Sequence, residues 1–490
     1  MALRTPPTPP TLACGILALL AHAACGDGPS MTVSLDREAL MDPEACRSCH
    51  PTAYQEWSGS MHAYAAEDPV FRAMNQRAQR ETEGALGDFC VKCHAPLAVR
   101  EGLTTNGLNL DEVPAKLKGV TCYFCHATAS VDGAHNNPLV LATDDSLFGP
   151  FADPAPGTPH KAIYSRLLDG TTLQSAAMCG SCHDIQNLQG AHVERTYQEW
   201  QGTLFSMPPN GQGCAGNGCH MDTSDGPAST ISSKVRRLHA HDFPAVDLAV
   251  TSFPEADAQR ARAQQLLDGV LQPTLCYNDL SRRMELTLEN VTAGHSWPSG
   301  ATPDRRAWVE LTASVGGTVI YSSGGEAARP LEGSSDPDLW LMRDCLFDEA
   351  GQETKLFWEA ATTTSAAVPG SVIQNVNEPM TFNKSHPKKE YPGTGMLPMM
   401  PDRVSLKIHL QAIGDDVLED LIASQDLDPT IKDNIARYQL GGAASFDWTP
   451  ATAKVVNDPN IGTLLCVVKP IKYRNNTAPA DSNAHCTPPP

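Results

Sequence analysis

Three things are scarce in this 490-residue chain, and each scarcity excludes something. Aromatic residues make up only 6%, lean for a core of this size built from protein alone. Basic residues are outnumbered, 36 Lys and Arg against 56 Asp and Glu, and the resulting formal charge of -20 repels nucleic acid and anionic lipid surfaces. Long apolar runs are missing after the first two dozen residues, so no later segment reads as a membrane span. That leading stretch, 1–24, has an early Arg4, an apolar run from Leu12 to Ala24 and small residues before Cys25, the pattern of an export signal peptide.

What the chain has instead is 16 Cys and 16 His, and their arrangement is not random. Cys-x-x-Cys-His occurs four times, at Cys46, Cys49 and His50; Cys90, Cys93 and His94; Cys122, Cys125 and His126; and Cys179, Cys182 and His183. Chance at this composition supplies roughly 0.02 such patterns. The pattern attaches haem covalently: two thiols add across the porphyrin vinyl groups, and the abutting histidine becomes an axial ligand of the iron. Cys214, Cys219 and His220 form a fifth, stretched version in which two more residues lie between the cysteines, giving an expected five haems c. Zinc fits poorly, because zinc sites combine two Cys pairs, or a Cys pair with a spaced His pair. Porphyrin discs would also supply the apolar core that the aromatic count does not.

Export bears on the remaining thiols. Cys25, followed by Gly26 and Asp27, resembles a bacterial lipoprotein processing site, although His22 stands where Leu is usual, so the reading divides between simple cleavage and a lipid anchor at Cys25. Cys276, Cys345, Cys466 and Cys486 are then left for disulfides, with three pairings open.

The texture of the chain changes along its length. Residues 36–270 read as a multihaem domain of short helices and Pro-, Gly- and Asp-rich loops, including a helix over Tyr54 to Arg80 broken near Asp68 and Pro69. Thr196 to Trp200 (TYQEW) echoes Ala53 to Trp57 (AYQEW), a hint of internal duplication. Residues 271–475 carry alternating runs at Arg283 to Val291, Ala307 to Val315, Thr318 to Ser323, Arg403 to Leu410 and Thr463 to Lys469, with one helix over Asp416 to Tyr438. The expected class is α+β: a helix-and-loop haem domain, a β-rich, sandwich-like C-terminal domain, and a tail at 476–490.

In order, CRSCHPTAYQEWSGSMHAYA, GVTCYFCH, GPFADPAPGTPHKAIYS leading into CGSCHD, ERTYQEW and GCHM resemble the multihaem cytochromes c related to the tetrahaem cytochrome of ammonia oxidisers. HDFPAVD and NVTAGHSWPSGATPDRRAWVEL resemble the β-rich extension of larger members. The resemblance implies electron transfer through closely stacked haems with mostly two axial histidines, and it carries His62, His160, His239, His241 and His295 onto the distal positions. His135 and His192 are substitutes, His409 is expected on a packed or surface strand face, and His386 and His485 are expected to be exposed. Methionines near the motifs, such as Met61, Met178, Met207 and Met221, read as cavity wall.

These readings make the chain an exported electron carrier of the periplasm, or an outer-membrane lipoprotein, of a Gram-negative bacterium. Its expected partners are redox proteins, other cytochromes or a quinol-linked complex, and an oligomer is compatible with that role. An enzyme acting on small nitrogen or sulfur compounds is the alternative, with one iron left five-coordinate and the fifth haem the suspect. A third reading is a wire subunit that borrows a distal histidine from its neighbour. The absence of any Cys-x-x-Cys-Lys site argues against a pentahaem nitrite reductase.

Overall fold

The computed structural model describes residues 34–154, 159–209, 211–325, 335–370, 372–373, 382–383, 386–458, 462–467, 477–479, 486 and 488. The signal segment, Cys25 and His485 lie outside them. No helix among the described residues is long and apolar enough to cross a membrane.

In the N-terminal half, short polar caps start and stop short helices. Asp42 accepts from the Glu44 amide at 3.0 Å to open Pro43–Arg47, Ser60 caps Met61–Tyr64, and Asp68 accepts from Val70 at 2.9 Å to open Pro69–Glu81. The break expected at Asp68 and Pro69 is present, and Gly59 and Ser60 add another, so Tyr54 to Arg80 is three helices. Thr121 caps Cys122–His126, so this attachment motif is itself one helical turn, which places cysteines three apart and the next histidine along one side. Among the described residues four two-stranded ribbons fill the connections, including Ile185–Gln186 with His192–Glu194 and Thr223–Pro227 with Val235–His239.

Among the described residues the C-terminal half is built on two six-stranded sheets around one core, with a small three-stranded sheet and a two-stranded ribbon in addition. In the first, Leu271–Asn278 pairs with Arg283–Asn290 and Gly462–Val467, and His386–Tyr391 continues beyond Arg283–Asn290. In the second, Arg306–Val315 pairs with Thr318–Ser323, Trp340–Met342 and Arg403–Gln411. Alternation decides which faces meet: Val404, Leu406, Ile408 and Leu410 from one sheet share a buried cluster with Leu275, Met284, Leu286 and Leu288 from the other. Cys276 and Cys466 are bonded across neighbouring strands, and Cys345 is bonded to Cys486, which selects one of the three pairings.

Two expectations need correction here. The helix over Asp416 to Tyr438 stops at Ala423; Gln425 turns left-handed, Pro429 opens a separate 3-10 turn to Asn434, and Arg437–Gln439 joins the second sheet. His386 is buried at 3% exposure, because its strand lies inside the first sheet with a neighbour on either side.

The halves are packed together. Val70, Ala73 and Met74 of Pro69–Glu81 belong to the β-domain core, while Phe71 on the same helix belongs to the haem-domain core. Arg80 makes a two-pronged ion pair with Asp426 at 2.6 and 2.7 Å, and the buried Arg305 makes another with Asp247 at 2.6 Å on both prongs. Ala256–Val270 joins the halves in sequence and buries Ala263, Leu267 and Val270 against the sheets.

Candidate haem-binding site

Each motif histidine has its Nδ1 engaged. His50 meets the carbonyl of Ala228 at 2.7 Å, His94 that of Ala65 at 3.0 Å, His126 that of Phe148 at 2.7 Å and His220 that of Pro244 at 2.8 Å. His183 instead meets the Glu194 carboxylate at 3.0 Å. Donation from Nδ1 fixes the tautomer and leaves the Nε2 lone pair as the metal-facing atom.

Four of these rings face a second imidazole from far along the chain. His50 stands opposite His160 at 6.5 Å between ring centres, His183 opposite His62 at 6.3 Å, His126 opposite His241 at 6.4 Å, and His220 opposite His295 at 6.4 Å. Two metal–nitrogen bonds of about 2.0 Å, with about 1.2 Å from each nitrogen to its ring centre, require roughly 6.4 Å, so all four spans fit an iron held between the rings. The residues present therefore fit the group that the motifs imply.

His94 is different. Its ring partner is Phe71, stacked flat on it at 3.9 Å and 3°, and no imidazole among the described residues stands opposite it. Phe71 lies on the face of the imidazole and so orients it rather than capping the other side of a porphyrin.

Local structure explains each placement. His62 rides on Met61–Tyr64, whose position is set by Val120 donating to the His62 carbonyl at 2.8 Å and by Gly119, where a Cβ would come within 2.6 Å of the His62 and Ala63 carbonyls. His295 sits on the connection between two strands of the β domain; Asn290 donates to its carbonyl at 2.8 Å and Thr203 to that of Gly294 at 3.1 Å. His239 ends a strand, meets the Met221 carbonyl at 3.3 Å and packs on Gly170, without a motif histidine opposite it. His135 and His192 face each other edge-on at 6.0 Å beside Asp184, and neither faces a motif histidine. His409 lies on a sheet face against Trp308 and Glu310.

Electrostatics divide the buried imidazoles. Burial, with the neighbouring imidazoles, holds His62 down to about 3, and burial likewise holds His220 and His241 to about 4. These rings stay neutral, as ligands must be. Burial would lower His183 as well, but the hydrogen bond and charge of Glu194 outweigh it and lift the imidazole to about 9.

The cysteines show how the five sites are arranged. The side chain of Cys46 lies beside that of Cys122, Cys93 beside Cys182, and Cys179 beside Cys214. The first site therefore adjoins the third, and the fourth adjoins both the second and the fifth. Cys125 also feels Cys179, which links the third site to the fourth.

Repeated attachment motifs, tautomer-fixed proximal histidines and paired imidazoles are the features of a multihaem c-type cytochrome. Comparison with known proteins falls in that class. Residues 45–127 match the family model described as cytochrome c554 and c-prime. Among solved structures the chain is similar to a penta-heme cytochrome c552 from Thermochromatium tepidum, at 18% identity over 84% of this chain and 99% of that one, with a TM-score of 0.56. At that identity the likeness is one of fold. No curated protein matches the chain. Over residues 45–127 the chain is thus similar to that cytochrome family, and over most of its length its fold is similar to that of a multihaem cytochrome.

Proposed function

We propose that the chain is an exported multihaem cytochrome carrying electrons through five covalently attached haems, four of them held between two histidines. The observation that carries this reading is the set of four long-range imidazole pairs spaced for an iron. Cys46 and Cys49, Cys90 and Cys93, Cys122 and Cys125, Cys179 and Cys182, and Cys214 and Cys219 would form the thioethers. The axial pairs would be His50 with His160, His126 with His241, His183 with His62 and His220 with His295. Haem supplies a one-electron iron couple; the chain supplies the neutral Nε2 ligands, fixes them through Nδ1, and encloses the sites in buried apolar side chains. Kinship with the cytochromes of ammonia oxidisers, a periplasmic or outer-membrane location, a lipid at Cys25 and an acidic surface docking basic redox proteins belong to the same proposal.

A second reading attaches to one site only. Because no imidazole faces His94, its iron would keep a free axial position where a small nitrogen or sulfur compound could bind, and this moves the suspicion of openness from the fifth site to the second. Intact mass and EPR of the oxidised protein test both readings. Five haem additions with four low-spin centres and one high-spin centre are expected. Fewer than five additions would remove Cys214 and Cys219, and five low-spin centres would remove the open site.

A further inference from the structure

The repeated Tyr-Gln-Glu-Trp segment has the same three attachments in both copies. The first copy lies on Pro51–Ser58 and the second on Thr196–Gln201. The Tyr54 amide donates to the carbonyl of His50 at 3.0 Å, and the Tyr197 amide donates to the carbonyl of His183 at 3.0 Å. The Trp57 indole donates to the carbonyl of Val120 at 2.8 Å, and the Trp200 indole to that of Gln212 at 2.9 Å. Val120 and Gln212 each lie two residues before the first cysteine of an attachment motif, Cys122 and Cys214.

The glutamates complete the pattern. Glu56 accepts from the backbone amide of His241 at 2.8 Å, and His241 is the imidazole facing His126. Glu199 accepts from the backbone amide of Ser296 at 3.2 Å and the Ser299 hydroxyl at 2.7 Å, holding the loop whose His295 faces His220. The sulfur contacts repeat as well: first cysteine to first cysteine, Cys46 with Cys122 and Cys179 with Cys214. In the first copy the tyrosine follows its histidine by one helical turn; in the second, the ribbon of Ile185–Gln186 and His192–Glu194 is inserted between them, and the attachments are still kept.

We propose that each Tyr-Gln-Glu-Trp helix is a staple for a haem pair: its tyrosine amide grips the proximal histidine of one site, its tryptophan grips the approach to the next, and its glutamate positions the distal histidine of that next site. The chain then contains two copies of one two-haem module, the first site with the third and the fourth with the fifth, and the His94 site stands outside the repeat. Glu56 and Glu199 are positioning residues. Each acts on the haem belonging to the other motif of its pair, not on the haem whose motif it follows.

The inference rests on the haem reading above, and the test separates the two. Holoprotein carrying Glu56→Ala is expected to gain one high-spin haem by EPR, with the spectrum of His241→Ala; adding His241→Ala to it is expected to create no further high-spin centre. Glu199→Ala is expected to match His295→Ala in the same way. Glu56→Gln and Glu199→Gln keep an oxygen acceptor and are expected to restore the low-spin spectrum. If an alanine variant fails to mature, Trp57→Phe and Trp200→Phe remove only the indole donor and are expected to shift the low-spin signals assigned through His241→Ala and His295→Ala. Unchanged spectra, or changes at the haems assigned through His160→Ala and His62→Ala, would overturn the staple. A parent protein without haem would overturn the reading beneath it.

Discussion

His183 is the motif histidine whose Nδ1–H meets a carboxylate, where the other four meet carbonyl oxygens. A full negative charge on that acceptor makes the imidazole a stronger donor and favours Fe(III) over Fe(II). The haem at Cys179 and Cys182 is therefore expected to be the lowest in potential among the histidine pairs. Glu194→Gln keeps the hydrogen bond and removes the charge. It should raise that midpoint by on the order of 59 mV, a tenfold change in a one-electron equilibrium, in a potentiometric titration that leaves the other centres in place. His239 makes a complementary case: with no motif histidine opposite it, His239→Ala should leave every low-spin EPR signal intact, and a new high-spin signal would contradict the pairing. The attachment motifs were legible in the sequence because their chemistry is local, contained in five to seven residues. Which distal histidine meets which motif was not, because it depends on where strands and loops from distant segments arrive. A count of histidines also hid His94, since a surplus elsewhere says nothing about who stands opposite.

At the scale of elements, the short helix Met61–Tyr64 is held in place by backbone contacts rather than by propensity. Gly119 makes this possible with a positive φ of 69° and no Cβ to strike the carbonyls behind His62. Gly119→Ala should cost about 1–3 kcal/mol and push His62 off its axis, seen as a high-spin signal from the haem at Cys179 and Cys182. Strand boundaries were readable to within a residue or two wherever alternation is strict, as in Arg403–Gln411. The failure at Asp416 to Tyr438 has a plain cause: helical composition continues past Ala423, but Pro429 and the demand of the second sheet for Arg437–Gln439 override it. The repeated Tyr-Gln-Glu-Trp looked weak in sequence because the inserted ribbon destroys the spacing between copies, while the hydrogen bonds that define it are three-dimensional.

At the scale of the whole molecule, the C-terminal half is more than a cover, since it places His295 opposite His220 and is pinned to the N-terminal half by the Arg305–Asp247 pair. Beside that pair lies Asp304, whose carboxyl burial pushes up to about 7 despite Arg305 and Arg306 nearby. A carboxyl raised in the folded state binds more protons folded than unfolded, so its stabilisation is full below about pH 4 and is lost as pH rises through 7. Asp344 and Asp68, raised by burial to about 6, act in the same direction. Thermal melting of the sheet signal should therefore fall between pH 5 and 8, and Asp304→Asn should flatten that fall; an unchanged slope would show that Asp304 does not carry it.

The sulfur contacts carry a last consequence. Cys46 meets Cys122 across a stretch that includes the whole second motif, and Cys93 meets Cys182 across the third. A polypeptide that collapsed early would bury these thiols before any porphyrin could be stitched to them. On the haem reading proposed above, compaction would have to wait for thioether formation, and how long the chain stays open would become a condition of its manufacture.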